Sequence, residues 1–346
     1  MPNEKKPKTK CVEYLRHAEY YDMQSTFDEL YARSQAGEIF ENLMDVILSR
    51  ENILLAYRNI KSNTGSITPG TDKLKISDIG KLTADEVTAR VRKIIKGAKN
   101  GYTQRSVRRK DIPKPNGNTR PLGIPCIWDR LVQQCIKQVM EPICEARFSN
   151  NSYGFRPNRS VENAIAATYR LMQKSGLHYV VEFDIKGFFD HLSHEWMMEF
   201  LKLYIKDPNL LWLINKYLKA GVMTDGVFEE SEEGSAQGNI ISPILANIYM
   251  HNVLTLWYKF VIRSNTVGNS FLAVYADDFI AGFQYKEDAE RYYVLLKERL
   301  KKFNLELEES KSRMIEFGRY AEANSKRKYG KKPETFDFLG FTFYCG

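Results

Sequence analysis

Paired cysteines, long apolar runs and internal repeats are all missing from this chain, and each absence removes a class of protein. The five cysteines, Cys11, Cys126, Cys135, Cys144 and Cys345, show neither C-x-x-C spacing nor an even framework. Zinc ribbons and disulfide-stapled secreted scaffolds are therefore excluded. No uninterrupted apolar stretch nears the ~20 residues that span a bilayer, so no membrane partner is expected. The first ten residues, MPNEKKPKTK, form a polar basic tail without the apolar core of a secretory signal, and a reducing cytoplasm fits. His191 and His194 stand three apart with no third ligand in view, which reads as surface histidine and not as a zinc site. Without a repeat or low-complexity tract, solenoid and linker readings fall away.

What is present suits a folded protein of two lobes: 346 residues, 43% of them hydrophobic. The net charge of +8 is clustered. Ten Lys or Arg against one acid, Asp111, lie between Val91 and Arg120, and six against one between Arg319 and Lys332. Such patches suggest phosphate-backbone contacts, against the plainer reading of solvated faces. The 20 Tyr and 19 Phe supply mostly core rings, with base stacking as a secondary use.

Residues 12–60 carry apolar side chains at three- and four-residue spacing and predict helix. A loop rich in Gly and Pro follows, then a helix over about 84–97. RRKDIPKPNGNTRPLGIP next predicts a β-hairpin with Lys114 and Arg120 on opposite sides of its turn. Helices are expected over 128–148, 160–174 and within 194–220, a short hairpin around Asp225-Gly226, and another helix from Ser242-Pro243. HYVVEFDIKGFFDHLSH reads as a strand ending at Asp184, and SFLAVYADDFIAGF as two strands joined by a tight acidic turn. A helix over 286–303, a strand near 313–317 and a terminal strand FDFLGFTFY complete the chain.

Two adjacent carboxylates at a hairpin tip repel one another unless a cation neutralises them. Asp277 and Asp278 between buried strands therefore mark a candidate metal site. Hard oxygen ligands without His or Cys point to Mg²⁺, with Mn²⁺ as a substitute. A third carboxylate, Asp184, would complete a two-metal clamp for phosphoryl transfer. Spacing alone leaves the plainer reading open, since a bare Asp-Asp pair is more often an exposed turn.

The surrounding words sharpen this. RRKDIPKPNGNTRPLGIPCIWDRLVQQCI, NSYGFRPNRSVENAI, VVEFDIKGFFDHLSH, EGSAQGNIISPILANIY, YADDF, LEESKS and FDFLGFTF resemble, in order and over nearly the whole chain, the blocks of reverse transcriptases of the group II intron maturase branch. KSNTGSITPGTD is similar to the fingertip extension of non-retroviral members. The resemblance implies an α+β fold with right-hand polymerase fingers and palm, an antiparallel palm sheet backed by helices, and a helix-rich N-terminal extension. It divides the chain into 1–45 (extension), 46–165 (fingers) and 166–346 (palm, with a return to the fingers near 191–233), the thumb and DNA-binding regions being absent. It implies RNA-directed DNA polymerisation by two-metal nucleotidyl transfer, with binding of intron RNA to assist splicing and retrohoming.

Residue by residue, the resemblance assigns Asp184, Asp277 and Asp278 to two magnesium ions, with the Ile185 carbonyl as a further ligand. Lys114 and Arg120 would grip the incoming triphosphate, Phe188 would crowd a ribose 2′-hydroxyl (with Phe189 as the one-residue alternative), and Gln237 and Gly238 would touch the nucleotide. Ala236 departs from the family's usual proline. Arg156 is either a template or phosphate contact or a structural ion pair, and Lys311 stands where a family lysine approaches the active site. Arg105, Arg108, Arg109, Lys110, Lys326, Arg327 and Lys328 are the candidate RNA contacts. Implied partners are intron RNA, an RNA template with a DNA primer, and dNTPs; the apolar face that a thumb would cover offers a route to a homodimer. A catalytically weak RNA-binding splicing cofactor, and a reverse transcriptase of another bacterial retroelement or defence system, stand as alternatives.

Overall fold

This computed structural model describes residues 17–96, 104–113, 117, 119–174, 176–220, 222–224, 227–229, 233–234 and 238–345. Four helices open it: α1 (His17–Tyr20), α2 (Gln24–Gln35), α3 (Leu43–Ile47) and α4 (Arg50–Lys61). The periodicity over 12–60 predicts one helical stretch, and the backbone breaks it. Asp22 (φ 55°), Gly37 (φ 91°) and Asn42 (φ 56°) adopt left-handed conformations that no right-handed helix continues through. Ser49 then caps α4, its hydroxyl accepting from Asn52 N at 3.2 Å. After α5 (Ile76–Ile79) and α6 (Ala84–Lys96), strands β1 (Val107–Pro113) and β2 (Thr119–Ile124) form the expected antiparallel hairpin, with Ile112 opposite Arg120.

Helix α7 (Ile127–Glu145) is the spine of the larger core, packed on α2 and α4. Next come α8 (Val161–Lys174), β3 (Tyr179–Phe183), α9 (His194–Lys202) and α10 (Pro208–Leu218). The break between the last two falls at Asp207-Pro208. Asp207 Oδ1 accepts from Asn209 N and Leu210 N at 3.0 and 3.1 Å, and proline sits at the first helical position, where it loses no hydrogen bond. Strands β4 (Val222–Thr224) and β5 (Val227–Glu229) pair with each other, and β4 joins β1 in parallel, giving a four-stranded sheet in the order β2-β1-β4-β5.

Helix α11 (Ser242–Met250) runs on through two π-helical segments, His251–Thr255 and Tyr258–Ile262, into α12 (Arg263–Asn265). Strands β6 (Ser270–Tyr275) and β7 (Asp278–Phe283), helix α13 (Lys286–Lys302) and strand β8 (Arg313–Glu316) follow. The central sheet, ordered β6-β7-β3-β8, is antiparallel throughout. Its side chains alternate between two cores. Val181, Phe183, Leu272, Val274, Phe279, Ala281 and Phe283 join the larger one, while Val180, Phe271, Ala273, Ile280 and Ile315 join a second, smaller one. Cover on both faces explains why SFLAVY and DFIAGF are continuously apolar instead of alternating with polar residues.

The chain ends with α14 (Ala321–Tyr329), which the sequence reading missed, and strands β9 (Phe336–Phe338) and β10 (Phe341–Phe343). FDFLGFTFY is thus a hairpin and not one strand. Leu339 (φ 53°) and Gly340 (φ 81°) turn left-handed between the two halves. Among the described residues, no helix is long and apolar enough to cross a membrane, and four free cysteines are found.

Candidate active site

Asp184 lies one residue past β3 and Asp278 opens β7. The Phe183–Phe279 pairing, continued by one residue, sets Asp184 opposite Asp278. Asp277 occupies the two-residue turn between β6 and β7, beside Ala276 at φ 58°. Alanine in that region costs roughly 1–2 kcal/mol over glycine, so the neighbourhood must hold the turn in place. A segment at residues 151–154 does so. Tyr153 N donates to Val274 O at 2.8 Å and Val274 N to Asn151 O at 2.9 Å, which adds a short parallel bridge to the edge of β6. Gly154 then lies so close to the turn that a Cβ there would be 2.4 Å from Ala276 N. Asn247, a polar residue in the apolar run PILANIYM, donates from Nδ2 to Gly154 O at 2.9 Å and pins the segment from below.

Burial in the surrounding protein, then the charges of Asp277 and Asp184, push the Asp278 carboxyl up to about 6, with Lys311 pulling it back down. Asp278 keeps an exposed edge, so water offsets part of the burial and the like-charge repulsion is the firmer cause. Lys311 donates from Nζ to Asp184 Oδ2 at 2.5 Å, and that bond raises its own pKa. Sequence reading placed this lysine near the site, and the structure puts it on an aspartate. Among the described residues, no three acid, imidazole or thiol groups already stand as a finished ion cage. The donors nevertheless suit a hard divalent cation: carboxylates alone, brought together by backbone register at the cost of mutual repulsion that such a cation would relieve. Glu308 N donates to Asp184 O and Lys186 N to Glu306 O around the Ile185–Leu307 bridge. The Ile185 carbonyl takes no part in those bonds.

The remaining expectations are met unevenly. Phe188 and Phe189 are both buried, edge-to-face with each other at 5.3 Å, and Phe188 also meets Tyr249 at 6.5 Å. Arg120 is placed by its backbone in β2, while Lys114, Ala236, Gln237 and the Asp225-Gly226 tip lie outside the described residues. Gly238 (φ 116°) approaches the fingers hairpin closely, since a Cβ there would be 2.1 Å from Gly123 O. Arg156 is bidentate on Glu145 at 2.6 and 2.7 Å and also donates to the Ser149 and Ser152 carbonyls. That is the ion-pair arrangement of the two readings. Arg108 likewise spends two donors on Pro69 O, and Arg109 pairs with Asp111 at 3.2 Å. Lys328 reaches Glu316 at 3.3 Å and Arg327 reaches Asn324 at 3.4 Å, whereas Arg105, Lys110 and Lys326 are exposed. His194 is not a surface residue: it is buried, its Nε2 within 2.6 Å of Gly234 O.

Two residues that matter were not singled out in the sequence. Gln133, wholly buried on α7, accepts from Ile240 N at 2.8 Å and donates to Asn239 Oδ1 at 3.3 Å, fixing the loop just after Gly238. Arg130 gathers the carbonyls of Gly65, Thr68 and Pro125, fastening the fingertip loop to α7. Both are polar residues within the apolar face of a helix, a signal visible in DRLVQQCI.

The central antiparallel sheet thus presents Asp184 and Asp278 from neighbouring strands with Asp277 in the adjoining turn, and a second sheet carries a basic hairpin. The chain belongs to the reverse transcriptase (RNA-dependent DNA polymerase) family, whose pattern matches residues 112–343. It is 37% identical over 235 residues to the group II intron-encoded protein LtrA of Lactococcus lactis subsp. cremoris, covering 66% of this chain and 38% of that one. It is 36% identical over 214 residues to protein YkfC of Escherichia coli K12, covering 61% and 55% respectively. The chain therefore spans between 38% and 55% of these relatives' length. Telomerase of Candida tropicalis in complex with a fragment of telomeric RNA shares the fold, with a TM-score of 0.54 at 17% identity over 79% of this chain and 48% of that one.

Proposed function

We propose that this chain is the fingers-and-palm unit of a group II intron-encoded reverse transcriptase, adding deoxynucleotides to a DNA primer on an RNA template and also binding intron RNA. The observation that carries the reading is the opposition of Asp184 and Asp278 across paired strands with Asp277 in the adjoining turn. Asp184, Asp277, Asp278 and the Ile185 carbonyl would hold two Mg²⁺ ions, which when bound supply charge neutralisation for the triphosphate and a more acidic primer 3′-hydroxyl. The chain's own residues orient the reactants. Lys114 and Arg120 grip the triphosphate from the hairpin, and Gln237 and Gly238 support the nucleotide, their loop held by Gln133. Arg105 and Lys110 extend the RNA surface. Primer extension on an RNA template with Mg²⁺ and dNTPs tests the reading. Metal-dependent incorporation supports it, and tight intron binding without any incorporation favours the splicing-cofactor reading.

Phe188 is proposed as the ring that excludes a ribose 2′-hydroxyl. Phe188→Ala is expected to raise the use of rNTPs relative to dNTPs about tenfold, measured by paired primer extensions. Relaxed sugar choice in Phe189→Ala alone would move the gate one residue on.

The raised Asp278 carboxyl gives a signed pH dependence. Below pH 6 the folded site keeps a proton that a bound cation must displace, so apparent Mg²⁺ affinity is expected to fall as pH drops from 7 to 5. For folding, a carboxyl that ionises near 3.8 when unfolded and near 6 when folded lowers stability as pH rises through that window, with the full penalty above 6. Asp278→Asn should therefore raise the metal-free melting temperature at pH 7.5 more than at pH 4. An equal shift at both pH values would remove this account.

A further inference from the structure

At the end of the central sheet opposite the aspartates lies an open cleft of about 470 Å³, with His178, Tyr285, Lys286, Glu316 and Tyr320 among its walls. It is separated from Asp184 by the full length of β3, roughly 16 Å at ~3.3 Å per residue. Backbone bonds set its rim: His178 N donates to Phe283 O at 2.9 Å and Phe317 N to His178 O at 2.7 Å. Two rings stand half-exposed at its sides, Tyr285 at 44% and Tyr320 at 54%. The Tyr320 ring lies 5.3 Å from that of His178.

The charges around the cleft narrow the ligand. Glu316 is already neutralised, its carboxylate taken by Lys328 and by the Asn324 amide. Helix α13 begins at the cleft with no side-chain cap, and its first turn carries Glu287 and Asp288, the latter taken up by Val267 N and Gly268 N. Glu287 on that same turn is exposed and opposes dense negative charge, which disfavours a free triphosphate. Beyond Tyr320, α14 presents Lys326 and Arg327 to solvent, with Lys331 and Lys332 following. Rings for a base and a trail of exposed cations make the recognition chemistry of an unpaired nucleotide in a continuous strand.

We propose that this cleft binds an unpaired nucleotide of single-stranded nucleic acid, the flanking backbone running along α14. The site is distinct from the polymerase centre. It rests on the nucleic-acid-binding part of the proposed function and not on its chemistry.

The test uses the full chain and a fluorescent ten-nucleotide oligo(U) carrying one 4-thiouridine, with a DNA oligo(T) counterpart, in EDTA. Crosslinking at Tyr285 or Tyr320 is expected. Combined Tyr285→Ala and Tyr320→Ala should weaken anisotropy-measured binding about tenfold or more with little change in salt slope. Lys326→Ala with Arg327→Ala should instead reduce the salt slope. Tyr320→Phe, which keeps the ring, should bind as the parent does. Primer extension on a pre-annealed template should persist in the tyrosine variants, so loss of polymerisation and loss of this site are read separately. Equal binding of oligo(U) and oligo(T) supports the site and makes it indifferent to the 2′-hydroxyl. Crosslinks confined to the fingers, or unchanged affinity in the double tyrosine variant, overturn the proposal.

Discussion

Asp277→Asn is expected to lower dNTP incorporation by at least a thousandfold, equivalent to about 4 kcal/mol of transition-state stabilisation, while leaving the fold intact. The substitution keeps the size of the side chain and removes one negative charge from the turn between β6 and β7. Two consequences oppose each other. The cation-holding capacity of the site drops, because hard divalent ions are held chiefly by ionised carboxylates. The metal-free protein, however, gains from relief of repulsion, since Asp277 is one of the charges that push the Asp278 carboxyl upward. Single-turnover primer extension together with thermal melting separates the two. The expected pair is lost incorporation and an unchanged or higher melting temperature. Incorporation within tenfold of the parent would sink the aspartate assignment. Intron-RNA binding should be indifferent to the change, because the exposed cations Arg105 and Lys110 lie on another sheet or its approach and not on the turn.

The site was legible in the sequence where local pattern and chemistry coincide. YADDF between two apolar runs predicts a hairpin with acids at its tip, and the apolar runs are continuous because both faces of the sheet are covered. Asp184 was likewise placed at a strand's end by the change from VVEF to IKGF. Contacts between distant segments were less readable. For Arg156 in GFRPNR the sequence leaves a phosphate contact and an ion pair open, and its ion-pair partner, Glu145 on α7, lies eleven residues earlier in sequence. The resemblance alone sets Lys311 of LEESKS near the active site, and it is the Ile185–Leu307 bridge that brings its turn to Asp184. The helix expected over 12–60 and the single strand expected at FDFLGFTFY failed for one shared reason. Apolar spacing reports which side chains are buried, but left-handed backbone at Asn42 or Leu339 interrupts an element without disturbing that spacing.

Gly154→Ala should lower catalysis on the order of a hundredfold, although it touches no reactant. A β-carbon at that position would stand 2.4 Å from Ala276 N and 2.9 Å from the Tyr275 carbonyl carbon. Both are backbone atoms, so no rotamer change relieves the overlap. Either the 151–154 segment withdraws, breaking the bonds of Tyr153 N and Asn151 O to Val274, or the turn carrying Asp277 moves. Asn247 resists the first course by holding Gly154 O from α11. The turn must then shift, and a displacement of about 1 Å at a reacting centre costs on the order of a hundredfold in rate. Overpacking of this kind also lowers stability by roughly 1–3 kcal/mol. The expected signature is a fall in the maximal rate of incorporation with nucleotide KM and RNA affinity little changed, because neither Gly238 nor the basic hairpin is disturbed. Serine at 154 should behave like alanine, since the obstruction is the β-carbon itself. A Gly154→Ala enzyme of near-parental rate would show that the turn does not depend on the 151–154 segment for its position.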